Sequence, residues 1–129
     1  NVPAILWAHH SVGSNTYIAT GATSQMHDLQ QKFRKAIEHY LSGKGPAFIE
    51  VFASCVPGHR IAPEESNRIK DMELATGAIV AGEFRDGLWQ LSEFTPTRGS
   101  RRPINESIIL QGRLRGSLNR PDLILEFQK

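Results

Sequence analysis

The one cysteine of the chain, Cys55, lies within the stretch "GPAFIEVFASCVPGHR" at residues 45–60. A solitary thiol has three chemical uses. As a nucleophile it needs a base, and His59 follows four residues later. Across Pro57-Gly58 that spacing fixes no geometry, because catalytic Cys–His pairs are usually remote in sequence. As a buried core filler it needs nothing but apolar neighbours. As a metal ligand it is one of a set whose other members lie elsewhere. Position favours the third use: Cys55 follows a strand-like apolar run, and functional groups in open α/β sheets gather beyond the carboxyl ends of parallel strands. The Pro and Gly that follow turn the backbone away, as a cluster-binding loop requires.

A second candidate is "ATGATS" at 19–24, with small residues and a glycine between a predicted strand and a predicted helix. Free N–H groups at such a helix start can hold an anion, which makes Thr20, Gly21 and Ala22 candidate cofactor-binding residues. A plain strand-to-helix turn is the competing reading. The stretch is neither a Walker loop nor a dinucleotide fingerprint. The histidines make no metal motif: His9 and His10 are adjacent, and His27, His39 and His59 lack a partner at helical ligand spacing. Arg98, Arg101, Arg102, Arg113, Arg115 and Arg120 make the last third basic. That is either a solvated surface or a docking surface for an acidic protein or a phosphate-bearing cofactor.

The elements that must position these residues follow from periodicity. A short helix is predicted over 3–10, a turn over 11–15 and a short strand over 16–20. A helix follows, with Thr23 or Ser24 as cap and Asp28 near its positive end. Its apolar face is Leu29, Phe33, Ala36, Ile37 and Tyr40, and Gly43 stops it. Residues 47–53 form a strand expected to be covered on most of both faces. Strand, amphipathic helix and strand argue for a parallel βαβ unit. A second helix is predicted over 64–76 with Gly77 as its stop, then a hairpin over 78–94 turning at Asp86-Gly87. A loop over 95–103, a short helix from 104 and a last helix capped by Asn119 complete the chain. The expectation is a single α/β domain over 1–129, with a βαβ core at 1–77 and the hairpin and C-terminal helices at 78–129.

Composition narrows the class. The chain has 129 residues, 40% hydrophobic and 22% charged, with a formal net charge of +2. That suits one ordinary globular domain and is too weak a charge for a nucleic-acid binder without a recognised motif. No apolar run is long enough to span a membrane. "NVPAILWAHH" has neither the basic start nor the apolar length of a secretory leader. A single cysteine excludes an internal disulfide framework and suits a cytoplasmic setting.

Taken in order, "PAILWAHH…TYIATGA", "DLQQKFRKAIEH", "GPAFIEVFASCVPGH", "ELATGAIVAGEFRDGLWQL" and "RPINESIILQGRLRGS" resemble the C-terminal portion of 2-oxoacid:ferredoxin oxidoreductase beta subunits, the pyruvate:ferredoxin (pyruvate synthase) type above all. The "GPAFI…C.PG" piece and the "LQGR.R" tail are the most specific. The resemblance implies a thiamine-diphosphate-binding α/β fold with a parallel sheet. It implies oxidative decarboxylation of a 2-oxoacid to acyl-coenzyme A, with electrons passing through iron–sulfur clusters to ferredoxin. It further implies that Cys55 is the fourth ligand of a 4Fe–4S cluster, and that the 19–24 turn faces the thiamine diphosphate. The other cluster cysteines, and the Gly-Asp-Gly and Asn segments that hold thiamine diphosphate through Mg²⁺, precede this region in such subunits. This chain would then work only with other oxidoreductase subunits. "HSVGSN" is longer than the family's turn at that place. A catalytically silent structural or interaction domain on the same scaffold is the alternative of a different class.

Overall fold

The computed structural model describes residues 15–85 and 88–119. The predicted helix at 3–10, most of the predicted turn at 11–15, the hairpin's Asp86-Gly87 and the segment after Asn119 lie outside the described residues. The chain divides into two compact units. One holds the residues up to Phe52 together with Ala81–Ser92, the other Ala53–Val80 together with the residues from Glu93 onward. The hairpin thus groups with the βαβ segment, and the second predicted helix groups with the C-terminal elements.

In the first unit, β1 (Tyr17–Ala22), α1 (Met26–Leu41) and β2 (Ala47–Phe52) form the expected βαβ arrangement. β1 and β2 pair in parallel from Tyr17↔Ala47 to Ala22↔Phe52. The hairpin of β3 (Gly82–Arg85) and β4 (Leu88–Leu91) adds antiparallel to β1, giving a mixed sheet of order β2-β1-β3-β4. The α/β fold class stands, with one parallel pair extended by a hairpin. β1 is the central strand and supplies the core, with Ile18, Ala19 and Ala22 fully buried. β2 is an edge strand of this sheet and is half-buried to exposed along its length, not covered on most of both faces.

Two expectations for α1 need correction. Neither Thr23 nor Ser24 caps it: Gln25 is the N-cap, without a side-chain cap bond. The buried face is Leu29, Lys32 and Ala36, whereas Phe33, Ile37 and Tyr40 are exposed. The cause is Lys32, whose ammonium donates to the Thr20 carbonyl at 2.7 Å, to Asp28 Oδ2 at 2.6 Å and to Ser92 Oγ at 2.7 Å. A charge this well satisfied can be buried. It turns the helix so that its own row, one residue before Phe33, faces the sheet.

In the second unit a short helical turn, α2 (Val56–His59), comes first. A 3₁₀ turn (Pro63–Glu65) then leads into α3 (Ser66–Thr76), and Gly77 closes α3 in the left-handed conformation. α4 (Asn105–Leu110) and a 3₁₀ segment (Arg115–Asn119) follow a loop that includes one further 3₁₀ turn, Arg98–Ser100. Ile69, Leu74, Ile104 and Ile108 make the apolar core of this unit. A buried polar cluster lies in the same unit: Lys70 Nζ donates to Glu73 Oε2 at 2.5 Å, and Gln111 Nε2 donates to Glu73 Oε1 at 2.8 Å. Among the described residues no helix is long and apolar enough to cross a membrane.

Candidate functional site

Cys55 stands three residues past the end of β2, in extended backbone at φ −92° and ψ 100°, immediately before α2. Its thiol is free and exposed, which removes the buried-filler reading. The local sequence explains the turn. Pro57, the second residue of α2, has no N–H to lose there. The His59 N–H donates to the Cys55 carbonyl at 2.7 Å and closes the helical turn. The His59 ring folds back over the same residue, its Nδ1 lying 3.0 Å from both the Cys55 nitrogen and the Cys55 oxygen. His59 is therefore bound to the backbone of Cys55. Nδ1 is the ring nitrogen engaged with that backbone.

Gly58 matters for a different reason. A Cβ placed on it would lie 2.9 Å from Cys55 Sγ, so the absence of a side chain is what leaves room for the sulfur. Arg60 then takes the left-handed conformation at φ 53°, the one non-glycine residue to do so among those described. Such backbone is held only where its surroundings over-determine it.

Thr20, Gly21 and Ala22 lie inside β1, not in a turn. All three are buried. Thr20 Oγ1 accepts from the Gly82 N–H at 3.2 Å and the Thr20 carbonyl accepts from Lys32. Gly21 is small because α1 packs on it: a Cβ there would lie 2.9 Å from Leu29 Cδ1. The turn itself is Thr23 and Ser24, and its first N–H extends the parallel ladder by donating to the Phe52 carbonyl at 3.0 Å. Ser24 Oγ is buried and has no hydrogen-bond partner among the described residues. In the strand the three candidate residues have their polar groups engaged within the unit, and the small side chains serve close packing.

Of the arginines, Arg102 pairs with Glu106 at 2.5 Å and Arg115 donates to the Ile109 carbonyl at 2.8 Å. The backbone N–H of Arg113 donates to the His59 carbonyl at 3.3 Å. Sequence reasoning missed the Lys32 and Lys70–Glu73–Gln111 clusters. The signal available was charge spacing, since Asp28 and Lys32 stand at i, i+4 and Lys70 and Glu73 at i, i+3.

Among the described residues no group of three or more His, Cys, Asp or Glu side chains could hold a metal ion. An iron–sulfur cluster of the 4Fe–4S kind takes four thiolates. The exposed Cys55 thiol fits one of those positions.

No family model matches the chain. It is similar to pyruvate synthase subunit PorB of Thermotoga maritima, 32% identical over 95% of this chain and 34% of the relative. It is similar to PorB of Pyrococcus furiosus, 28% identical over 97% of this chain and 40% of the relative. A third relative is ketoisovalerate oxidoreductase subunit VorB of Pyrococcus furiosus, 29% identical over 77% of this chain and 30% of that protein. The chain thus spans 30–40% of the length of these relatives. It belongs to the family of 2-oxoacid:ferredoxin oxidoreductase beta subunits.

Proposed function

We propose that this chain forms part of a 2-oxoacid:ferredoxin oxidoreductase, in which Cys55 supplies one thiolate ligand to a 4Fe–4S cluster completed by another polypeptide segment. The 2-oxoacid is pyruvate in this reading, after the PorB relatives. In the complete complex, thiamine diphosphate with Mg²⁺ supplies the decarboxylation chemistry, coenzyme A accepts the acyl group, and ferredoxin receives the electrons through the cluster. The exposed, free thiol of Cys55 just beyond a parallel strand is the observation that supports the ligand role. In this reading the end of β1 at Thr20, Gly21 and Ala22, with the 23–24 turn that follows it, faces the thiamine diphosphate. The other subunits meet this chain in the cytoplasm.

The test is anaerobic iron and sulfide analysis, with a visible spectrum, on the chain alone and on the complex that co-purifies with it. Cluster-level iron confined to the complex supports a shared site. A colourless protein in both states would instead favour a silent structural domain on the same scaffold.

A further inference from the structure

We infer that His59 and Gly112 are positioning residues for the Cys55 thiol, and that the Gln111–Gly112–Arg113 segment braces the turn on which that thiol stands. The inference rests on the reading of Cys55 as a cluster ligand, but its structural half stands on contacts alone.

The turn is held at three points. The His59 ring binds the backbone of Cys55 through Nδ1, in either tautomer, because N–H and carbonyl are both 3.0 Å away. From the other end of the unit, the Arg113 N–H donates to the His59 carbonyl. Between them, Gly112 approaches the Arg60 carbonyl so closely that a Cβ would sit 2.6 Å from the oxygen. Backbone cannot yield as the tip of a side chain can, so only glycine fits at this position. The contact falls on Arg60, the residue in left-handed backbone. The strain at Arg60 thus coincides with the place where the 111–113 segment presses on the turn.

The brace is anchored in turn. The Gln111 side chain is buried and donates to Glu73 Oε1 at 2.8 Å, while Glu73 is paired with the buried Lys70 of α3. A continuous path therefore runs from the rigid interior of α3, through Gln111 and Gly112, to Arg60, His59 and Cys55. A ligand on a short exposed turn needs such support, because a thiolate displaced by even a fraction of an ångström strains its bond to the metal. None of these groups would touch the metal; each acts through the backbone of the turn.

Backbone amide exchange on the chain, read residue by residue, tests the brace without any cluster. Gly112→Ala should speed exchange of the His59 and Arg113 amides about tenfold, and His59→Ala that of the Cys55 amide by a similar factor. His59→Asn should restore part of the Cys55 protection, since its side-chain oxygen can accept the same N–H. Gly99→Ala, where a Cβ meets nothing within 4 Å, should change none of them. In the assembled complex, Gly112→Ala should shift the cluster's EPR line shape at unchanged iron content. Exchange in Gly112→Ala and His59→Ala equal to that in Gly99→Ala would overturn the brace. Should the exchange changes appear while Cys55→Ser leaves the EPR signal untouched, the brace stands and the ligand assignment fails. Altered exchange with an unaltered line shape in Gly112→Ala would overturn the positioning role.

Discussion

Lys32 Nζ donates to the Thr20 carbonyl across 2.7 Å, a bond from a helix ammonium to the central strand of the sheet. It ties the buried row of α1 to the carbonyl of one of the strand residues that resembled a cofactor turn. Lys32→Met keeps the apolar stem but leaves the Thr20 carbonyl and Asp28 without their cation. Breaking a buried pair of this kind should cost about 3 kcal/mol. Urea denaturation of the variant against the parent chain checks it, and an unchanged midpoint would mean that the ammonium is not buried in solution.

The rotation of α1 makes a second prediction. Leu29 is 4% exposed and Ile37 is 58% exposed, although both fall on the apolar face expected from periodicity. Leu29→Ala should cost about 3 kcal/mol and Ile37→Ala less than about 1 kcal/mol. Equal losses in thermal denaturation would return Ile37 to the core.

That pair of residues shows where the sequence was legible. The βαβ order, the extent of α1, the stop at Gly77 and the hairpin strands about Asp86-Gly87 followed from periodicity and turn chemistry. The face of α1 did not, because hydropathy scores Lys32 as a surface residue and cannot see acceptors supplied by Thr20 and by Ser92, 60 residues away. The same blindness to long-range pairing ended the first strand at Thr20. Gly21 and Ala22 look like turn residues alone but pair with Val51 and Phe52. Cys55 was legible as a candidate from its position after a strand. The contacts of its turn with Gly112 and Arg113 come from more than 50 residues away and exist only in the folded chain.

Glu73 joins Lys70 and Gln111 in the interior of the second unit. Glu73→Ala strands a buried ammonium and should cost about 3–5 kcal/mol. Removing both charges together, as Lys70→Met with Glu73→Ala, should recover part of that loss, since the Gln111 amide stays without its acceptor in both. A double-mutant cycle in urea measures the difference, and additive losses would show that the two groups do not interact.

Ser24 Oγ, in the turn after β1, is buried without a partner among the described residues. An unsatisfied hydroxyl carries its desolvation cost with no bond in return. Ser24→Ala should therefore leave stability unchanged or raise it by up to about 1 kcal/mol, a result readable from the thermal midpoint. A clear loss would reveal a hydrogen bond made by that hydroxyl in solution.

The most direct test of the central claim is low-temperature EPR of the reduced, assembled complex carrying Cys55→Ser, beside the parent complex at matched iron content. The ligand role predicts that the 4Fe–4S signal is lost or shifts, because a serine oxygen replaces a thiolate at one iron. A signal identical in g-values and intensity would contradict it and leave Cys55 a spectator.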